Sequence, residues 1–96
     1  MVKHIVIYKF NNKSQDIINK TKEILFSMKG VVPEVVDIEA GDDFLCSGRS
    51  CDFALVVTLE NREALKRYQE NDYHVNVVKK YMHSVMKESQ SVDYEI

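Results

Sequence analysis

The sequence predicts an α+β protein of the ferredoxin-like type, a βαββαβ subunit that pairs its open sheet face with a second copy. Three observations lead there. Segments 2–10 and 52–60 alternate as strands do, yet neither face of either segment is polar at its centre. Each is followed by a capped stretch with helical spacing. The 96 residues leave room for one domain, residues 1–96. A chain of this size buries only about 60–65% of its unfolded surface, so a second chain covering an apolar sheet face would add stability.

The first strand, "MVKHIVIYKF", places Val2, His4, Val6, Tyr8 and Phe10 on one face and Lys3, Ile5, Ile7 and Lys9 on the other. Ser14 then offers an N-cap for a helix ending near Lys29, with Gly30 at the left-handed position after it. Ile17, Thr21, Ile24, Leu25 and Met28 make its expected buried stripe. After Pro33, Val35–Ala40 reads as the second strand, and "GDDFLCSGRS" as a loop. In "DFALVVTLE" Phe53, Leu55, Val57 and Leu59 oppose Ala54, Val56 and Thr58. Asn61 caps a short helix carrying Ala64, Leu65 and Tyr68. Asp72 is the expected cap of the next, with His74, Val77, Val78, Tyr81, Met82 and Val85 inward. "SVDYEI" closes the chain as a strand with Val92, Tyr94 and Ile96 on one side.

Two strand–helix–strand units with right-handed crossovers form a four-stranded antiparallel sheet with helices on one face. The other face, with Ile5, Ile7, Ala54 and Val56, is left bare in a monomer. Face-to-face pairing in a symmetric homodimer covers it, so the expected partner is a second copy of the chain.

A formal net charge of −2 argues against nucleic acid as a partner, because such proteins present a basic face. The longest basic run is Lys79–Lys80, too short for a membrane patch. Lys3, His4 and Lys9 interrupt the apolar run at residues 1–10, so no signal peptide is expected there, and no stretch approaches the roughly 20 apolar residues of a membrane span. A cytoplasmic location is expected. Cys46 and Cys51 are too few for a disulfide framework and too far apart for a redox Cys-x-x-Cys motif, so free thiols are expected.

The chain resembles the stress-responsive A/B barrel (Dabb) family. The likeness lies in "MVKHIVIYKF", in "DFALVVTLENREALKRYQENDYHVNVV" and in "SVDYEI", in that order and at the family's spacing. It implies a dimeric α+β barrel of two ferredoxin-like subunits, which the two-faced strands suggest independently. Most bacterial members have no assigned reaction; one plant member is a polyketide cyclase that closes a ring by aldol condensation with a histidine and a tyrosine. By position the resemblance maps that pair onto His74 and Tyr68, and the cyclase's strand-one histidine onto His4. Phe53 stands where a further pocket histidine is found, and Asp72-Tyr73 replaces the usual proline before the helical histidine.

His74 and Tyr68 are therefore the candidate catalytic residues: an imidazole moves protons near neutral pH, and a phenol donates to a developing enolate oxygen. The alternative is a structural pair, with His74 bonded at a helix start and Tyr68 filling space. His4, Tyr8 and Phe53 complete the expected ligand-binding set, lining an apolar cavity between sheet and helices that would take a small, largely apolar molecule. Three functions fit: a small-molecule binder, a cyclase, lyase or isomerase acting on an enolisable carbonyl compound, and a purely structural dimer. No metal site is expected, because the histidines lack ligand spacing and Asp42–Asp43 reads as a solvated turn. No motif calls for a cofactor. His83 is read as a helix-end residue that favours the dipole, and Tyr81, Met82 and Met86 as core.

Overall fold

The computed structural model describes residues 1–96. Its strands are β1 (Val2–Phe10), β2 (Asp37–Asp42), β3 (Phe53–Leu59) and β4 (Met86–Glu95). Its helices are α1 (Gln15–Phe26), α2 (Arg62–Glu70) and α3, which begins as a π-helical stretch, His74–Lys79, and continues as an α-helix, Lys80–Val85. The four strands form one antiparallel sheet in the order β2-β3-β1-β4. This is the ferredoxin-like α+β fold.

Local chemistry explains most of the element starts. The Ser14 hydroxyl accepts from the Ile17 amide at 3.2 Å, and Asn61 Oδ1 accepts from the Ala64 amide at 2.8 Å. Gly30 has φ of +92°, the left-handed conformation expected after α1. α1 stops at Phe26, three residues earlier than its periodicity suggests, and residues 27–30 form turns. Its fully buried stripe is Ile18, Thr21 and Leu25, with Met28 below them; Ile17 and Ile24 are only partly buried. β2 starts at Asp37 rather than Val35.

Directly paired residues of an antiparallel sheet share a face. Val2, His4, Val6, Tyr8 and Phe10 therefore lie with Leu59, Val57, Leu55 and Phe53 on the side the helices cover. Leu25, Val57 and Leu59 are wholly buried there. On the opposite side Ile5 sits between Val56 and Val92, and Ile7 beside Ala54. No helix covers this side, where Val92 is 55% and Tyr94 46% exposed.

β4 is longer than the sequence suggests and inverted in character. Its apolar residues Val92 and Tyr94 face away from the helices, while Ser89, Ser91 and Asp93 pair with Tyr8, Val6 and His4 on the helix side. The helix-facing end of the sheet is therefore polar at β4.

In the β2–β3 loop, Asp43 Oδ2 accepts from the Cys46 amide at 2.7 Å and Cys46 takes φ of 54°. Both cysteines are free, Cys46 exposed and Cys51 half-buried. Replacing both by serine is expected to shift the melting temperature by no more than a few degrees, since no bridge and no core packing is lost. A wild type that loses many degrees on adding reductant, measured by circular dichroism, would contradict this. No helix is long and apolar enough to cross a membrane.

Candidate functional site

A cavity of about 390 Å³ opens between the β1–β4 half of the sheet and the α2–α3 segment. Its floor is laid by alternate residues of β1, His4, Val6 and Tyr8, with Ser91 and Ser89 of β4 beside them. Tyr68 and Gln69 reach in from the end of α2, and His74, Val78 and Met82 from α3.

The chain turn that presents His74 is built by Asn71. Its backbone amide closes α2 on the Tyr68 carbonyl, while its side-chain oxygen accepts from the Tyr73 and His74 amides at 2.9 and 3.2 Å. Asn71, not Asp72, is thus the cap. An Asx side chain satisfies amides two and three residues on, which from Asn71 are those of Tyr73 and His74. Asp72 lies inside that turn and is exposed. Two hydroxyl pairs then seat α3 on α1: Tyr73 with Ser27 at 2.6 Å, and Tyr81 with Thr21 at 3.1 Å. Tyr81 is accordingly a half-buried, hydrogen-bonded residue rather than plain core.

Tyr68, 1% exposed, stands between the two imidazoles. Its ring centroid is 4.4 Å from that of His74 and 5.8 Å from that of His4, T-shaped with the latter. His4 Nδ1 hydrogen-bonds the Asp93 carboxylate across the β1–β4 ladder. A carboxylate at Nδ1 holds a proton on that nitrogen and fixes the orientation of the ring. His74 Nδ1 is buried with no hydrogen-bond partner in the chain. An unpaired buried polar atom costs about 1–3 kcal/mol, and such atoms mark places a ligand or water completes.

Burial sets the protonation states. It holds the His74 pKa below 6.5; a hydrogen bond from the imidazole to the Gln69 backbone carbonyl opposes the shift, and the charges of Lys79 and His4 add to it. Burial pushes the Tyr8 phenol up to about 12, and raises Tyr68 further, with Tyr8 adding to the effect. Near neutral pH the site holds a neutral imidazole beside two un-ionised phenols, an acceptor next to donors.

A pH dependence follows. Because the folded His74 pKa lies below its unfolded value, acidification protonates the unfolded chain first. The His74 contribution is complete above the ordinary value of 6.5 and is lost as pH falls through the lower folded one. Melting temperature should therefore fall between pH 7 and 5 more steeply in wild type than in His74→Gln, and equal slopes in the two proteins would refute it.

Of the residues singled out from sequence, His4, Tyr8, Tyr68 and His74 line one cavity. Phe53 does not: it pairs with Tyr8 at the far end of β3 and packs on Phe10, with ring centroids 5.9 Å apart, and Leu55 takes the lining position instead. Sequence reasoning missed Asp93, Ser89, Ser91, Lys79 and His83. The period-two spacing of Ser89, Ser91 and Asp93 was the available signal, masked because polar residues on a strand ordinarily mark its solvent side. Val77 is turned outward, 38% exposed, because the π-helical turn advances the helix face by about one residue. No cluster of three or more His, Cys, Asp or Glu side chains is placed to hold a metal ion.

Fold and site together define a ferredoxin-like subunit with a half-open, histidine-lined cavity under its helices. Residues 2–96 match the stress-responsive A/B barrel domain, and the chain belongs to that family. No curated protein matches it. Among solved structures it is similar to a dimeric ferredoxin-like protein of unknown function from Thermobifida fusca (TM-score 0.86, 19% identity, covering 99% of this chain and 90% of that one). It is also similar to a dimeric protein of unknown function from Bacteroides fragilis (TM-score 0.84, 25% identity, 99% and 95% covered). A third similar structure is the hydroxynitrile lyase of Passiflora edulis (TM-score 0.85, 16% identity, 99% and 92% covered).

Proposed function

We propose that this protein is a homodimeric binder of a small, largely apolar molecule that carries a phenol or an enolisable carbonyl group. The observation that supports this best is the meeting of three groups on one cavity: His4 oriented by Asp93, the Tyr68 phenol, and His74 with an unpartnered nitrogen. A phenol O–H donates to an imidazole nitrogen, and a carbonyl oxygen accepts from Tyr68. The open sheet face and the dimeric neighbours support pairing through that face. Two free thiols suit a reducing, cytoplasmic compartment.

2-Naphthol, which is fluorescent, tests the reading in a chain without tryptophan. Wild type should bind it saturably. His74→Ala and Tyr68→Phe should each weaken binding about tenfold or more, roughly 1.4 kcal/mol, with fold and dimer retained. Absence of saturable binding, together with a destabilised His74→Ala, would favour the purely structural dimer.

A second reading, an enzyme, rests on the protonation states. Neutral His74 would take a proton from the carbon next to a carbonyl. The C–H electron pair moves through carbon to the carbonyl oxygen, and the Tyr68 hydroxyl hydrogen-bonds the enolate. The name of the Passiflora edulis neighbour shows that the fold accommodates a lyase. Deuterium exchange from solvent into 2-tetralone, accelerated by wild type and lost in His74→Ala, would distinguish enzyme from binder.

A further inference from the structure

We propose that the mouth of the cavity is an anion-binding rim formed by Lys79 and His83 of α3, so that the bound molecule carries a carboxylate at the end away from Tyr68. This deepens the binding role proposed above and rests on it. The chain has 15 acidic and 13 basic residues, yet none of the 14 residues lining the cavity is an aspartate or glutamate. All three of its histidines line this one cavity. Lys79 takes part in none of the chain's six ion pairs, whereas Lys9, Lys22 and Lys29 each hold a carboxylate. The Ser89 and Ser91 hydroxyls on β4 add further donors to the same cavity. An ammonium, an imidazole N–H and hydroxyl donors, on a lining whose nearest carboxylate, Asp93, is engaged by His4, match an anion better than a cation.

The helix geometry brings Lys79 to this position. In an α-helix a residue five places after His74 lies about 140° round the axis and would face away from it. The π-helical stretch His74–Lys79 is wound wider, with bonds from each residue to the fifth one on, and both its ends line the cavity. The following α-helical turn then adds Met82 and His83 to the same wall. The charge of Lys79 is also felt at His74, where it disfavours the imidazolium.

The test compares 6-hydroxy-2-naphthoate with its neutral methyl ester by calorimetry, reading the ratio of the two affinities within each protein so that a general loss of fit cancels. Wild type should prefer the acid about tenfold or more at low salt, and the preference should shrink as ionic strength rises. Lys79→Met should bring the two affinities within about twofold, and Lys79→Glu, a change at an exposed position, should reverse the order. Equal binding of acid and ester by wild type, or a preference that survives Lys79→Glu, overturns the proposal. If 2-naphthol binds while the acid gains nothing, the rim alone fails; if neither 2-naphthol nor the acid binds, the cavity reading falls and the rim with it.

Discussion

Val56→Lys is expected to convert the protein from dimer to monomer. Val56 pairs with Ile5 at the centre of the open sheet face, and Ile5 is flanked on its other side by Val92. In a face-to-face dimer a lysine there would be taken out of water beside the apolar Ile5, and even with the carboxylate of its other cross-strand neighbour, Glu39, within reach it would put charge into an apolar contact. Desolvating a charged pair costs more than its attraction returns unless the geometry is excellent. Obligate interfaces of this kind commonly bury more than about 2,000 Å² in total, so one central charge weakens the whole contact. Light scattering at micromolar concentration should give twice the chain mass for wild type and the chain mass for the variant. A wild type that is already monomeric there would refute the pairing.

The second large effect separates packing from chemistry at Tyr68. Truncation to alanine empties a position that is 1% exposed and lies between His4 and His74. Losing a buried aromatic ring costs about 3–5 kcal/mol. That is a large share of the roughly 5–15 kcal/mol that holds a domain together, and for a chain of about 100 residues it corresponds to a fall of roughly 12–30 °C in melting temperature. Tyr68→Phe keeps the ring and removes only the hydroxyl. It should melt within a few degrees of wild type while losing about tenfold in affinity for 2-naphthol. Were phenylalanine to cost as much stability as alanine, the hydroxyl would be a structural group and not a ligand contact.

His4 shows how the sheet links these roles. Its ring is fixed by Asp93 on the neighbouring strand and meets the Tyr68 ring in a T-shaped arrangement. The two faces of the β1–β4 ladder are thereby divided. Ile5 with Val92 faces the open side, and His4 with Asp93 faces the cavity. A one-residue slip of β4 would exchange these faces, leaving His4 without its carboxylate and turning the apolar residues into the cavity.

Short-range chemistry was legible in the residues themselves. Alternation in β1 and β3, the caps at Ser14 and Asn61, and the left-handed Gly30 each depend on atoms within a few positions along the chain. They suffice for the ferredoxin-like order of elements and for the two-faced strands, and they point to His4, Tyr68 and His74 as residues worth attention. What tertiary structure decided depends on partners distant in sequence. Asp93 finds His4 only through a pairing that spans 89 residues. β4 turns its polar residues inward because a cavity, not packed core, lies above them. The π-helical turn of α3 has no signal in its own residues: with Tyr73 bonded to Ser27 just past α1 and Tyr81 to Thr21 within it, the turn accommodates an extra residue that sends Val77 outward and carries Lys79 to the cavity wall. Periodicity assumes a constant twist, and only contacts between elements can change it.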